Sequence, residues 1–176
     1  MRFQPLGLSG AWVIEPEQIH DHRGAFARTF CAREFDQHGL ETEFVQHSTS
    51  QTHLRGTVRG MHFQREPHAE VKIVTCTKGA IFDVVLDLRR GSETYRQWRS
   101  VELSSVSLRR VYIPKGFAHG FQALTDNAEV AYLISSFYEP TASDGVRHND
   151  PAFAISWPLP IATLSEKDAN WPEYQL

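Results

Sequence analysis

Six short runs rich in β-branched and aromatic residues follow one another between positions 71 and 138, and turn residues separate them. The runs cover 71–77, 78–89, 96–104, 107–114, 120–125 and 128–138. Turn signals at a spacing of roughly 8 to 12 residues are typical of an all-β sandwich or barrel. Either architecture also hides strand edges that would otherwise pair with other chains.

Helical signals are weak by comparison. Residues 31–39, which end at a glycine, predict a short helix, and residues 165–174 predict a C-terminal turn or helix. Both would lie at the periphery of a structure made of strands.

Length and composition favour one soluble domain. The chain has 176 residues, of which 41% are hydrophobic, enough for a sizeable core. Its net charge of -3 gives no general attraction to nucleic acid or to an anionic membrane. Two distant cysteines, Cys31 and Cys76, do not suggest a disulfide framework, and the first residues lack the apolar stretch of a signal peptide. We therefore expect a cytoplasmic protein with no nucleic-acid or membrane partner.

Three polar clusters interrupt the strand pattern and are candidates for chemistry. They are DHRGAF at 21–26, VRGMHFQ at 58–64 and IPKGFAHGF at 113–121. The third contains a P-x-G-x-x-H pattern, in which proline fixes φ and glycine permits a tight turn before the histidine enters a strand. This pattern resembles the second motif of cupin-type β-barrels.

The metal site of such cupins is not expected here. Metal-binding cupins need a His-x-His pair in their first motif, whereas this chain has His62-Phe63-Gln64. A cation at Lys72, which follows that cluster, would also oppose a bound divalent metal. The sequence therefore predicts no metal.

The three clusters, in this order and at this spacing, resemble the dTDP-4-dehydrorhamnose 3,5-epimerase family. Further similarity at 83–98, 131–140, 150–158 and 164–168 extends the resemblance over nearly the whole chain. It implies an all-β, cupin-like jelly-roll sandwich or barrel with short peripheral helices. Residues 1–176 would form a single epimerase domain, with the jelly-roll core at about 44–140. It also implies a homodimer that acts on a nucleotide-diphosphate keto sugar and needs no cofactor.

The reaction implied by the resemblance is epimerisation at C3 and C5 of a 4-keto-6-deoxy sugar, from dTDP-4-dehydro-6-deoxy-D-glucose to dTDP-4-dehydro-L-rhamnose. Removing a proton next to the ketone gives an enolate, so the enzyme needs a base on one face, an acid on the other and a positive group near the ketone oxygen. The matching positions imply His62 as the base and Asp168 as the carboxylate that fixes its tautomer. They imply Lys72 as the cation and Tyr132 as the acid.

Seven further positions match the contacts that the family makes to the nucleotide and the sugar. The positions that match phosphate and sugar contacts are Arg23, Arg59 and Lys167. Those that match base-stacking residues are Phe26 and Tyr138. Those that match other polar contacts are Gln46 and His119. Each of these residues taken alone is more often structural, so the interpretation depends on their joint match to one pattern.

Three differences from the family lie on the nucleotide or substrate side. Arg28 stands where glutamate is usual, Ser48 stands where asparagine is usual, and the stretch before Arg59 is one residue longer. Glutamate can accept a hydrogen bond from thymine N3–H, whereas arginine can only donate. Arg28 therefore raises the hypothesis of a CDP- or GDP-linked sugar, with dTDP as the family default.

Other functions remain open at this level. The same pocket would serve a single-centre epimerase or a ketoisomerase, and His62 with Tyr132 favours epimerisation without giving the number of centres. A non-catalytic sugar-binding cupin and a metal-dependent cupin are the alternatives from other classes. The intact set of four catalytic positions does not favour either of them.

Overall fold

The computed structural model describes residues 1–175 and consists mainly of antiparallel strands. The strands are β1 (Arg2–Pro5), β2 (Trp12–Glu15), β3 (Gln18–Asp21), β4 (Gly24–Ala27), β5 (Gln46–Thr52), β6 (Val58–Gln64), β7 (Lys72–Lys78), β8 (Ala80–Asp87), β9 (Trp98–Ser104), β10 (Arg110–Ile113), β11 (Phe117–Ala123), β12 (Ala128–Ile134) and β13 (Ser143–Gly145). Two short helices, α1 (Ala32–Asp36) and α2 (Glu166–Ala169), accompany them.

Two large sheets face each other. The first has the order β1-β2-β10-β7-β12-β5, and the second has the order β13-β6-β11-β8-β9. Strands distant in sequence lie side by side, as β6 and β11 do, which is the crossover pattern of a jelly roll. The hairpin β3–β4 forms a separate two-stranded sheet. The predicted all-β, cupin-like class is confirmed.

The main hydrophobic core lies between the two sheets. Alternate residues of each strand point inward, and Val74, Val85, Val111, Phe121 and Val130 are buried together there. Burying such side chains contributes roughly 1.5–3 kcal/mol each. This core closes one part of the sandwich and leaves space for a cavity elsewhere between the sheets.

Each sheet also has an apolar patch on its outer face, and a peripheral segment covers each patch. Phe35 of α1 is fully buried against Ile14, Ile73 and Tyr112 of the first sheet. A segment near the C-terminus places Phe153 against the second sheet. A helix as short as α1 is marginal alone, so packing of its apolar residue stabilises it.

The predicted strands correspond to β7–β12, with ends that shift by a few residues. The jelly-roll core is wider than the predicted 44–140, because β1 and β2 extend the first sheet and β13 extends the second. The pattern missed these strands for physical reasons. β1, β2 and β13 have only three or four residues, and β5, with the sequence QHSTSQT, is a polar edge strand.

Candidate active site

A cavity of about 570 Å³ lies between the two sheets, a size typical of sites for small molecules. Residues of both sheets and of the segment 163–168 line it. Eight of the predicted site residues are among them: Gln46, Arg59, His62, Lys72, Tyr132, Tyr138, Lys167 and Asp168. The fold thus brings together all four of the predicted catalytic residues.

His62 and Asp168 form a hydrogen-bonded pair at this cavity. His62 Nε2 lies 2.5 Å from Asp168 Oδ1, and the carboxylate is almost completely buried. His62 lies on β6, where alternation directs Met61 outward to the hydrophobic patch and His62 inward. The pairing occupies Nε2 and leaves Nδ1 as the nitrogen available to a substrate proton.

Asp168 is held in its ionised form. Burial raises the pKa of this carboxyl, but hydrogen bonds from His62 and from the Gly60 N–H outweigh burial and lower it. Gly60 has a φ of 130°, and a Cβ there would lie 2.4 Å from the backbone of Gly120 on β11. Only glycine fits this close approach, which aims the Gly60 N–H at Asp168.

Tyr132 reaches the same cavity from β12, in the other sheet. Its hydroxyl oxygen lies 3.2 Å from Ser50 Oγ. Burial raises the pKa of Tyr132 to about 12, although the hydrogen bond with Ser50 opposes part of this rise. The phenol therefore holds its proton at neutral pH and is suited to donate it.

Lys72 is paired with a carboxylate that sequence reasoning missed. Its Nζ lies 2.7 Å from Glu70 Oε1 and donates to the His62 carbonyl oxygen at 3.4 Å. Glu70 also lines the cavity, and within residues 1–175 its Oε2 is buried without a hydrogen-bond partner. The position of Glu70, two residues before Lys72, could have indicated this pairing from the sequence, because the side chains of alternate residues in an extended chain lie on the same face.

The remaining cavity residues supply polar groups along its wall. Arg59 donates from Nε to Thr52 Oγ1 at 3.0 Å and from Nη2 to the Gln51 carbonyl oxygen at 2.7 Å. Gln46 accepts from the Tyr138 N–H through Oε1 at 2.7 Å. The Tyr138 side chain is exposed, so its ring is free to stack on a ligand.

Three predicted nucleotide contacts lie outside this cavity, on or next to the hairpin β3–β4. Arg23 is exposed and pairs with Asp21 at 2.6 Å. Phe26 is 68% exposed. Arg28 follows β4, and its Nη1 lies 4.0 Å from Glu34 Oε1. Within one chain these residues do not line the pocket that holds the other predicted contacts, because the hairpin forms a sheet of its own.

Ser48 and His119 also lie outside the cavity lining. Ser48 is exposed on the edge strand β5, opposite Tyr132. His119 is 5% exposed, with its Nε2 2.7 Å from Asp83 Oδ2 and its ring against that of Tyr132. Asp83 and Tyr132 pack around the His119 ring in this structure, and its predicted polar contact to a ligand stays a prediction.

Residues 1–175 hold neither a cluster of metal ligands nor a membrane-spanning helix. No three His, Cys, Asp or Glu side chains in this part of the chain cluster in a way that could hold a metal ion. Across these same residues, no helix is long and apolar enough to cross a membrane.

The cavity combines the groups needed to move a proton next to a carbonyl. An imidazole oriented by a carboxylate comes from one sheet, and a protonated phenol comes from the other. An ammonium group lies beside them. Such a set can remove a proton from one face of a carbon and return one to the opposite face.

Comparisons with known proteins agree with this geometry. The family model of dTDP-4-dehydrorhamnose 3,5-epimerase matches residues 5–175. A dTDP-4-dehydrorhamnose 3,5-epimerase of Methanothermobacter thermautotrophicus is 45% identical over 173 residues, covering 97% of this chain and 92% of the relative. A dTDP-4-dehydrorhamnose 3-epimerase of Streptomyces niveus is 44% identical over 171 residues, covering 97% of this chain and 82% of the relative.

A solved structure gives the same result. The crystal structure of dTDP-4-dehydrorhamnose 3,5-epimerase from Bacillus anthracis, with TDP and PPi bound, superposes with a TM-score of 0.95 at 36% identity. The superposition covers 98% of this chain and 99% of that one. The chain belongs to the dTDP-4-dehydrorhamnose 3,5-epimerase family.

Proposed function

We propose that this protein epimerises C3 and C5 of a dTDP-linked 4-keto-6-deoxy sugar, converting dTDP-4-dehydro-6-deoxy-D-glucose to dTDP-4-dehydro-L-rhamnose. The observation that carries the proposal is the meeting of the His62–Asp168 pair, Tyr132 and Lys72 around one cavity. Membership of an epimerase family supports it, as does the TDP bound in the related Bacillus anthracis enzyme.

In the proposed reaction His62 Nδ1 takes a proton from the carbon next to the ketone. Asp168 accepts a hydrogen bond from Nε2–H and stabilises the imidazolium that forms. The electron pair of the broken C–H bond moves to the ketone oxygen, where the Lys72 ammonium stabilises the enolate. Tyr132 then gives its proton to the opposite face of the carbon, and the ketone reforms with the configuration inverted.

The proton balance of this step predicts exchange with water. Each inversion leaves His62 with one extra proton and Tyr132 without one, so both must exchange protons with solvent before the next inversion. Solvent hydrogen therefore appears at every carbon that has been inverted. No cofactor takes part in any of these steps.

A single-centre 3-epimerase is the second candidate. It uses the same residues once, and the Streptomyces niveus relative, at 44% identity, bears the name of a 3-epimerase. The hypothesis of a CDP- or GDP-linked sugar has less support, because the related Bacillus anthracis enzyme has TDP bound and the similar curated relatives are named for dTDP-linked sugars.

The experiment that separates these functions is NMR of dTDP-4-keto-6-deoxyglucose incubated with the protein in D₂O. Deuterium at both C3 and C5 is expected, and label at C3 alone would establish the single-centre reaction. His62→Ala should abolish the label, whereas His53→Ala, which changes an exposed histidine, should not. Absence of label with the folded wild-type protein would contradict the proposal for this substrate.

We further propose that the protein is a homodimer in which a partner subunit's hairpin completes the nucleotide site. This arrangement accounts for Arg23 and Phe26, which match family nucleotide contacts, and for Arg28, which stands where the family usually has glutamate. All three lie outside the cavity of their own chain. The exposed Phe26 ring would then stack on the base opposite Tyr138. Both cysteines are free, which agrees with the cytoplasm as the proposed compartment.

Subunit mixing tests the dimer proposal. Sedimentation should give a dimer, and both His62→Ala and the double variant Arg23→Ala/Phe26→Ala should be weakly active. After the two are mixed and allowed to exchange subunits, half of the dimers carry one intact site, so activity should return to about a quarter of wild type. No recovery in proven mixed dimers would contradict a shared site.

A further inference from the structure

The C-terminal strap, defined as residues 165–175, carries Asp168 to His62. Asp168 lies in α2, a single turn capped by two side chains: Ser165 Oγ accepts from the Asp168 N–H at 3.1 Å, and Asn170 Nδ2 donates to the Glu166 carbonyl oxygen at 2.7 Å. One helical turn is not stable by itself in water. The position of Asp168 therefore depends on how the rest of the strap is held.

The far end of the strap is fixed to the body of the protein. Glu173 Oε1 accepts from Arg147 Nη2 at 2.6 Å, and the Tyr174 N–H donates to Asp150 Oδ2 at 2.8 Å. The Tyr174 hydroxyl lies 2.9 Å from that of Tyr95. These contacts fix residues 173 and 174, so the segment between them and α2 spans the region next to His62.

Trp171 fills that region. Gly145 of β13 is directly opposite His62 of β6, and opposed residues of an antiparallel pair point to the same face. A Cβ on Gly145 would lie 2.4 Å from Cε2 of Trp171. The indole thus occupies the place of the missing side chain beside His62, with the two ring centroids 6.4 Å apart and the planes at 65°.

The same indole contacts a second cavity residue. Lys167 Nζ lies 5.2 Å from the centre of the Trp171 ring and donates to Ser143 Oγ at 3.3 Å. Within residues 1–175 the Trp171 Nε1–H is buried and has no hydrogen-bond partner. Its contribution therefore comes from packing and the cation–π contact, since a buried donor without a partner is unfavourable.

We infer that Trp171 is a positioning residue, which holds the His62 imidazole against Asp168 and keeps water from that hydrogen bond. The inference rests on the proposed function of His62 as a base. Trp171 does not line the cavity, so it acts through His62 and not by touching the substrate. Without the indole, the imidazole gains room to rotate, and the single-turn helix loses the packing that fixes Asp168.

Enzyme kinetics give the first test. Trp171→Ala should lower kcat about 10- to 100-fold with little change in KM, because orientation of the base is lost while the cavity wall remains. Trp171→Phe should recover kcat to within about threefold of wild type, since a flat apolar ring remains. Trp157→Ala is the matched control, because Trp157 packs against Phe82 on the other side of the second sheet.

A second test needs no substrate. In protein with ¹⁵N-labelled histidine, the proton between His62 Nε2 and Asp168 should give a far-downfield resonance that exchanges slowly with water. Trp171→Ala should accelerate this exchange at least tenfold, and Trp171→Phe should not. Gly145→Ala should accelerate it as well, because the added methyl group displaces an indole that is still present.

The two tests distinguish failure of this inference from failure of the proposed function. A wild-type protein that epimerises no keto sugar, but whose resonance responds as described, would refute the function and leave the packing role of Trp171 intact. The positioning role is overturned by an unchanged exchange rate or an unchanged kcat in Trp171→Ala, or by an equal loss of kcat in Trp157→Ala.

Discussion

Two histidine–aspartate pairs lie side by side in this protein, and they differ mainly in exposure. His62 and His119 are directly opposite each other on β6 and β11, so their side chains share a face. The distance from Nε2 to a carboxylate oxygen is 2.5 Å for His62–Asp168 and 2.7 Å for His119–Asp83. The His62 side chain is 43% exposed, whereas that of His119 is 6% exposed.

The difference shows that the pair itself does not make a catalytic base. Tyr132 packs edge-on against the His119 ring, with the centroids 6.2 Å apart, and covers it. His62 has no such cover on its cavity side, while Trp171 packs beside it. Access to one ring nitrogen, with the other nitrogen held by a carboxylate, distinguishes a candidate base from a structural histidine.

The largest expected effect is on kcat, which should depend on His62 far more than on His119. His62→Asn should lower kcat about 10²- to 10⁴-fold, the usual contribution of a general base. Its unfolding free energy should fall less than that of His119→Ala, because the asparagine amide can still donate toward the buried Asp168 carboxylate. Steady-state kinetics and urea titration on one preparation measure both quantities. A His62→Asn protein that retains most of its kcat would remove the basis for treating the two pairs differently.

The next largest effect is on the free energy of unfolding, which should depend on His119 more than on His62. His119→Ala should cost about 3–5 kcal/mol of unfolding free energy, because it leaves the buried Asp83 carboxylate without its partner. Asp83 is already poorly satisfied, since its Oδ1 has no hydrogen-bond partner among residues 1–175. Changing both residues to leucine should restore much of the loss, because no unpaired charge then remains. Urea unfolding measures each variant.

Failure of the leucine pair to recover stability would contradict this reason for the loss. Asp83 would then stabilise the fold through some contact other than the one to His119. Thermal unfolding of Asp83→Asn serves as a control, because the amide keeps an acceptor for His119 and removes only the charge.

The sequence alone indicates the class of fold and the residues around the cavity, but not which histidine is accessible. The β-branched runs predicted β7–β12 because alternation is a local signal. The cover that Tyr132 places on His119, and the gap that Gly145 leaves for Trp171, depend on strand register across the chain. Nothing local to position 119 distinguishes it from position 62.

The hairpin residues show a second limit of the sequence. Arg23 and Phe26 match family nucleotide contacts, and Arg28 replaces the usual glutamate nearby, yet one folded chain leaves all three outside its cavity. A family pattern records what meets in the assembled protein, and it does not say which chain supplies each residue. Glu70, in contrast, lines the cavity of its own chain but was not predicted, because a carboxylate in a strand-like segment is usually exposed.

Asp87 is another buried carboxylate, and unlike Asp83 it has several hydrogen-bond partners. Burial opposes ionisation of Asp87, but hydrogen bonds from Arg89, Ser92 and Thr94 outweigh it and lower the pKa to about 2. A pKa below the unfolded value adds stability above about pH 4, and this stability is lost as the pH falls toward 2.

Asp87→Asn should therefore cost about 2 kcal/mol at pH 7, the free energy that corresponds to the lowering of its pKa from 3.8 to about 2. The cost should shrink as the pH is lowered, because protonation of the wild-type carboxyl removes the same interaction. Urea titrations at several pH values measure this trend. A difference between variant and wild type that stays constant from pH 7 to pH 2 would show that the charge of Asp87 is not the cause.

The smallest effect concerns Lys72–Glu70, a pair intermediate in exposure between the two histidine pairs. The Lys72 side chain is 14% exposed and the Glu70 side chain 5%. Glu70→Gln keeps an acceptor for the ammonium and removes only the charge, so kcat should fall less than about tenfold. Glu70→Ala should reduce it further, because among residues 1–175 Lys72 would then keep only its hydrogen bond to the His62 carbonyl oxygen at 3.4 Å.

The order of these two variants matters more than the size of either effect. If Glu70 positions Lys72, glutamine should recover most of the activity that alanine loses, and KM should change little. If the glutamine and alanine variants are equally inactive, the site requires the negative charge of Glu70. That charge would balance the positive charge of Lys72 inside the cavity. The second result would make this pair resemble His119–Asp83, in which a buried charge depends on its partner. It would resemble His62–Asp168 less, because there the carboxylate orients the imidazole that moves the proton.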